Sequence, residues 1–325
     1  PELVSLGAAE KPSEEVLLNR YRVLARRGTG GFGTVCTCWD TRLQRRVGPP
    51  LIQPLLDIAK LLTKETLIPK TAVRSVFLAA PVVGFAGMAV CAAFIPVPGV
   101  FSGLYNMGDL LVLFYLLPIP AIAIMLGGSA SSSPFGAMGF SREMLMMLAY
   151  ETPLLMILLA VAMLVGKATG TGAEFSLLAI VDWQQNAGSL GLNPVMIPAL
   201  LAYLIFLPGT MGVPPFDIPE AETEVLEGPL LEYGGPPLAL FQIGSALKTF
   251  VVLGLGVALF FPGTISDFWI VNLIWFVFKC LVLMLLSLTL VKSATGRFRI
   301  DQAFRFYVKV PTVLALVSLV LVWAL

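Results

Sequence analysis

The chain has 325 residues, of which 57% are hydrophobic and only 13% charged, and its mean hydropathy is +0.88. A soluble domain carries about 25% charged residues and a soluble protein of this size has too little interior to hide so much apolar surface, so the bilayer has to be the solvent for most of it. The net charge of +1 excludes little, but four cysteines with no CxxC pair (Cys36, Cys38, Cys91, Cys280) and no histidine exclude a self-contained iron–sulfur, haem or zinc centre; any electron chemistry belongs to a partner.

In chain order, residues 1–47 are polar and basic, and 11 of the 21 Lys and Arg fall within residues 1–70. No apolar h-region marks a signal peptide, and a start at Pro1 rather than Met reads as a processed or incomplete chain. In residues 48–71, Leu55, Leu56, Ile58, Ala59, Leu61 and Leu62 alternate with Asp57, Lys60 and Lys64 at helical period. This pattern predicts a helix lying along the membrane surface, or one packed on a soluble domain. Seven apolar runs follow, at about 73–98, 107–127, 143–167, 194–211, 236–262, 268–291 and 307–325, each near the ~20 residues that a spanning helix needs. The fold class expected is therefore all-α: a polytopic transmembrane bundle of about seven spans.

The connections differ in charge. If residues 1–71 are cytoplasmic, the alternate loops 128–142, 212–235 and 292–307 hold Arg142, Lys292, Arg297, Arg299 and Arg305, whereas the opposite loops 99–106, 168–193 and 263–267 hold no Lys or Arg. That bias predicts a cytoplasmic N-terminus in the inner membrane of a prokaryote. No internal repeat of 20–50 residues is evident, which weakens an inverted-repeat transporter.

One cytoplasmic loop departs from the charge rule. Six of the 20 acidic residues lie between Asp217 and Glu232, with no base among them. Asp217, Glu220, Glu224 and Glu227 are spaced three, four and three apart, which on a helix opened by Pro219 and closed by Gly228-Pro229 makes one carboxylate stripe. Such a cluster either trades protons or forms an acidic surface for a basic partner. Glu151, Lys248 and Lys279 fall inside apolar runs, where each costs roughly 2.5–3.5 kcal/mol at the bilayer centre. They are candidates for a proton relay, or for a structural ion pair. Glu143 and Asp109 lie at span ends, where helix-end charge competes with a relay role.

These residues carry a family resemblance. PPFDIPEAETEVLEGPLLEYGG (214–235) resembles the acidic loop of the NADH dehydrogenase subunit 1/H family, which includes the complex I membrane subunit at the foot of the peripheral arm and its counterpart in group 4 nickel–iron hydrogenases and formate hydrogenlyases. RRVGPPLIQPLLDIAKLLTKE (45–65), GSASSSPFGAMGFSREMLMMLAYETPL (128–154) and PPLALFQIGSALKTF (236–250) are similar to its first loop, its third-to-fourth-helix region and the start of its sixth helix, so the likeness covers about residues 46–325. EGPLLEYGG and GSALK with Lys248 resemble the hydrogenase branch. The resemblance implies a subunit with no redox centre of its own that anchors a hydrophilic arm. Its partners would be hydrogenase-type large and small subunits, an iron–sulfur subunit and antiporter-like membrane subunits, with nothing pointing to nucleic acid. By position it implies proton coupling by Glu143, Glu151, Asp217, Glu220, Glu222, Glu224 and Glu227, and a basic start of the first loop at Arg45 or Arg46; Lys248 and Lys279, from their place inside apolar runs, are further coupling candidates, and Arg45, Arg46 and Glu232 are candidate partner contacts. In the complex I reading a quinone headgroup would sit between the acidic loop and the first spans; a secondary transporter and a kinase-derived sensor are further readings.

One departure stands out: the family has eight spans, the first ahead of its RxGP segment, and no apolar run lies there in this chain. Residues 17–47 instead resemble the start of a bacterial Ser/Thr protein kinase, with Gly28, Gly30, Gly33 and Val35 fitting GxGxxGxV behind a strand-like YRVL. Val47 is followed by Gly48-Pro49-Pro50 where the phosphate-pairing lysine strand belongs, and neither an HRD nor a DFG follows. Residues 1–47 are thus expected to be a truncated kinase start, a β-hairpin or disordered, joined near Arg45–Val47 to a membrane domain at 48–325 by a rearrangement or an assembly error. No kinase activity is expected of it.

Overall fold

The computed structural model describes residues 16–17, 21–30, 33–40, 45–47, 53–103, 109–219, 226, 228–289, 291, 296 and 298–325, with side chains from residue 53 onward. The chain divides into two units, Pro1–Lys60 and Leu61–Leu325. In the first, four antiparallel strands lie in sequence order: β1 (Val16–Leu17), β2 (Tyr21–Gly30), β3 (Gly33–Asp40) and β4 (Arg45–Val47). β2 and β3 form the hairpin alternative. Gly30 faces Gly33 beside its turn and Gly28 faces Val35, so the glycine pattern occupies the hairpin tip. Arg45 and Arg46 pair through the backbone with Asp40 and Trp39.

Helix α1 (Gln53–Thr63) is the amphipathic segment, and it leaves Leu55, Leu56 and Leu62 exposed. The second unit is a helical bundle: α2 (Arg74–Phe94), α3 (Leu110–Leu116), α4 (Ile119–Ala130), α5 (Pro134–Thr169), α6 (Leu177–Ala187), α7 (Ile197–Thr210), α8 (Pro236–Phe260), α9 (Trp269–Met284), α10 (Ile300–Lys309) and α11 (Pro311–Ala324). Counting α3 with α4, α9 with its π-helical continuation Leu285–Thr289, and α10 with α11, six helices among the described residues are long and apolar enough to cross a membrane. The all-α polytopic class stands. The fourth expected run is the exception to the count of seven. α7 has 14 residues, about 21 Å at 1.5 Å per residue, short of a ~30 Å hydrocarbon core. Pro198 starts it and Pro208 lies near its end, and its interior position makes the short length tolerable: Ala199, Ala202, Tyr203, Phe206 and Leu207 are all buried.

Two boundaries also moved. α5 starts at Pro134, nine residues ahead of the expected 143, and its 36 residues extend for about 54 Å, so it outruns the hydrocarbon core. The loop expected at 168–193 contains α6, whose Leu177, Ile180, Val181 and Gln184 are buried at i, i+3, i+4, i+7 spacing, a helical face legible in the sequence.

Backbone contacts sort the connections into two ends. At one end, Val73 N–H donates to Ala130 O (2.9 Å), Ser132 Oγ to Thr71 O (3.0 Å) and Phe298 N–H to Pro215 O (3.2 Å). At the other, Leu110 N–H donates to Phe175 O (2.9 Å) and Lys167 Nζ to Val322 O and Trp323 O (both 2.9 Å). The chain therefore shuttles between two faces.

Prolines explain much of how the helices are tied together. A proline inside or just past a helix has no N–H, which orphans the carbonyl four residues before it, and in lipid no water can repair the loss. Four of these carbonyls receive a side-chain donor instead. Pro81 frees Phe77 O, which accepts from Tyr233 Oη (3.0 Å). Pro208 frees Leu204 O, which accepts from Ser287 Oγ (2.5 Å) in the π-helical turn. Pro262 frees Ala258 O, capped by Gln184 Nε2 (3.2 Å), and Pro311 frees Tyr307 O, capped by Thr312 Oγ1 (2.9 Å). These bonds fix loop to helix and helix to helix where the hydrophobic effect, absent between helices in lipid, cannot.

Candidate functional site

The site lies where the long first turns of α5 meet the acidic loop. Gly136 and Gly139 on α5 and Gly128 at the end of α4 are bare so that neighbouring backbone can approach: a Cβ on Gly139 would collide with Pro229, and one on Gly128 would press on Pro229 as well. Farther along, the Tyr233 ring stacks flat on Phe77 at 4.0 Å, meets Phe241 edge-on at 5.0 Å and rests on Gly127. Burial pushes the Tyr233 phenol above its usual range, so it stays a neutral donor to Phe77 O. The loop's exit, 228–235, is thus clamped to α2, α4 and α5. Its entry is held by Phe216, packed against Phe298, Phe306 and Tyr307, and by Arg142 Nη1, which reaches Ile218 O at 3.4 Å.

Between these clamps is a cavity of about 270 Å³. Glu143 of α5, Thr210 at the end of α7, Asp217 of the loop and Ser245 and Lys248 of α8 line it with Met146. Glu143 and Tyr150 are seven residues apart, two helical turns, and share a face of α5; Glu151 is next, about 12 Å of rise from Glu143. The Lys248 ammonium lies 5.9 Å from the centroid of the Tyr150 ring, within reach of a cation–π contact, and its charge acts on Glu151. Tyr150 senses both Glu143 and Glu151 and lies beside Thr210. Glu151 Oε1 is buried and makes no hydrogen bond among the described residues. Buried polar atoms without a protein partner are where water or a ligand atom belongs.

The structure therefore brings together Glu143, Glu151, Asp217 and Lys248. Asp217 sits in irregular backbone, so it is not part of a helical carboxylate stripe. Glu220, Glu222, Glu224 and Glu227 lie outside the described residues, as do the side chains of Arg45 and Arg46. Glu232 is half-buried in the clamped exit. Asp109, at the start of α3, bridges to Ser176 at the opposite end. Lys279 is separate. Its ammonium donates to Phe261 O (2.6 Å) and Gly263 O (2.7 Å), just past the end of α8. Those carbonyls follow Lys248 by 13 and 15 residues, a distance of about 20 Å along a helix. Tyr150 and Thr210 are site residues that sequence reasoning passed over. A phenol next to an intramembrane carboxyl, in AYETP, was the available signal.

A family model for NADH dehydrogenase matches residues 39–323. The H-subunit of the NADH-quinone oxidoreductase of Geobacillus kaustophilus is 31% identical over 316 residues, covering 93% of this chain and 87% of that protein. The corresponding protein of Syntrophotalea carbinolica is 33% identical over 322 residues, covering 93% and 89%. Among solved structures, a chain of the membrane-bound sulfane sulfur reductase, an archaeal respiratory membrane complex, superposes with a TM-score of 0.76 at 29% identity, covering 86% of this chain and 90% of that one. Matched along most of its length, and with six helices among the described residues long and apolar enough to cross a membrane, the chain belongs to the NADH dehydrogenase subunit 1/H family of membrane subunits of respiratory complexes.

Proposed function

We propose that the chain couples electron transfer in a hydrophilic arm to proton movement through the membrane domain, in a complex of the group 4 nickel–iron hydrogenase type. One observation carries this reading: a cavity beside the acidic loop is lined by Glu143, Asp217 and Lys248, and the same Lys248 lies by the Tyr150 ring and acts on Glu151, whose buried Oε1 makes no hydrogen bond among the described residues. Protons enter from the acidic loop, where Glu220, Glu224 and Glu227 are the collecting groups, and pass by Asp217 and Glu143 toward Glu151. Lys248 is the fixed counter-charge that makes carboxylates tolerable at this depth. The nickel–iron and iron–sulfur centres belong to partner subunits. The N-terminal unit and α1 face the cytoplasm, with the exposed leucines of α1 lying on the membrane surface. The kinase-like hairpin has no catalytic role in this reading; incubation of the purified protein with labelled ATP is expected to give no phosphotransfer, and phosphotransfer would overturn it.

A quinone-linked role is the second reading, favoured by the quinone-linked relatives and by Met146 and Phe216 in the cavity wall, which suit a quinone headgroup. Pull-down of the assembled complex from its native membrane with mass spectrometry separates the two. A nickel-site large subunit and maturation proteins support the hydrogenase reading; flavin- and NADH-binding subunits with extractable quinone overturn it. The coupling role itself is tested in vesicles carrying the complex: unchanged ion translocation in both Glu143→Gln and Glu151→Gln would sink it.

A further inference from the structure

Lys279 stands apart from the site described. Its ammonium caps the carbonyls of Phe261 and Gly263 and lies 5.6 Å from the centroid of the Trp275 ring, which stacks with Phe278 at 5.3 Å. No carboxylate pairs with it among the described residues. A lysine ammonium has three N–H donors, and two are used by the carbonyls. Lys279 also lines a groove of about 370 Å³ between α7 and α9, otherwise walled almost wholly by apolar side chains, among them Leu200, Leu204, Leu283 and Leu286. An apolar trough with one cation and an indole ring at its mouth has the polarity of an amphiphile: a chain for the leucines, an anion for the spare donor and the uncompensated charge.

We propose that this groove binds one anionic phospholipid, its acyl chain along Leu204, Leu283 and Leu286 and its phosphate on Lys279. Charge complementarity selects the occupant: an apolar partner helix would bring no counter-ion, and a zwitterionic lipid would bring a phosphate already offset by its own cation, whereas an anionic lipid supplies a net negative charge. The site lies beyond the C-terminal end of α8, away from the Glu143–Lys248 cavity, and the proposal stands whether or not that cavity moves protons. The Ser287–Leu204 bond crosses between α7 and α9 beside the groove, so a bound lipid would also brace this pair of helices.

The test uses the full-length chain in detergent, titrated with dioleoyl phosphatidylglycerol, dioleoyl phosphatidylcholine, oleate or inorganic phosphate and read by native mass spectrometry. Phosphatidylglycerol is expected to bind roughly fivefold more tightly than phosphatidylcholine, the worth of one interfacial lysine. In Lys279→Gln that ratio falls to about one, because glutamine can still donate to the two carbonyls but has no charge. Leu286→Trp, which fills the groove and leaves Lys279 in place, weakens phosphatidylglycerol while the circular dichroism and elution volume stay unchanged. An undiminished preference in Lys279→Gln overturns the proposal. Binding of oleate alone, or displacement of the lipid by inorganic phosphate alone, overturns the phospholipid assignment in favour of a fatty carboxylate or a free anion.

Discussion

Lys248 and Lys279 look alike in the sequence: each is a lone cation near the middle of an apolar run, with the same insertion cost. In the folded chain each ammonium lies near an aromatic ring, but their polar neighbours differ. Lys248 faces a cavity shared with Glu143 and Asp217, over the Tyr150 ring. Lys279 turns its ammonium to two carbonyls beyond the end of α8 and to an apolar groove. A buried cation can be neutralised by carboxylates, which makes it part of titratable machinery, or solvated by backbone dipoles, which makes it structural and leaves its net charge for an outside anion. Which of these applies depends on the neighbours that tertiary packing brings, and hydropathy carries no information on that.

The sharpest way to break this comparison is to neutralise one residue at each place in the assembled complex. Glu151→Gln should lower ion translocation by about a hundredfold, the lower end of what a positioned proton carrier contributes. Lys279→Gln should leave translocation within about twofold, since distant sites act independently. Equal losses in both, measured as proton uptake in vesicles, would erase the distinction. Next in size is the docking of the acidic loop. Gly139→Leu drives a side chain into Pro229 and should destabilise the chain by about 1–3 kcal/mol, seen as a lower unfolding temperature and a loss of loop-dependent activity.

Tyr233→Phe tests the loop's other clamp. It keeps the stack on Phe77 but leaves Phe77 O, already orphaned by Pro81, without a donor, for a cost of about 1–2 kcal/mol. Faster hydrogen exchange across 228–235, and not across α8, is the expected signature. The smallest effect is at Thr312→Val, which removes the donor to Tyr307 O at the α10–α11 junction. At about 0.6 kcal/mol, a common value for side-chain hydrogen bonds in membranes, it should shift the unfolding midpoint only slightly and leave translocation intact.

Much of the bundle could be read without coordinates, because lipid imposes a simple rule: a run long enough and apolar enough becomes a helix. α2, α8 and α9 fall close to their expected limits for that reason. The failures have local causes. α7 is shorter than its apolar run because Pro194 and Pro198 delay its start and Pro208 hastens its end. α5 is longer because its first nine residues, broken by glycine, serine and Arg142, are helical too, with Gly136 and Gly139 letting the helix lie close to Gly128 and Pro229. α6 was hidden by its polar residues, although its buried stripe was in plain order.

By itself the sequence determined that this is a multi-pass helical membrane protein, where its acidic loop lies, and to which family it is similar, because hydrophobic length and a specific loop motif are properties of neighbours along the chain. Tertiary structure alone decided which charges share a cavity, that Tyr150 and Thr210 join them, that Lys279 does not, and which hydroxyl or amide answers each proline-freed carbonyl. Apart from the local Thr312–Tyr307 cap, those are contacts between residues from about sixteen to more than a hundred and fifty positions apart, such as Tyr233 with Phe77, and their energies come from desolvation and geometry that exist only once the helices have packed.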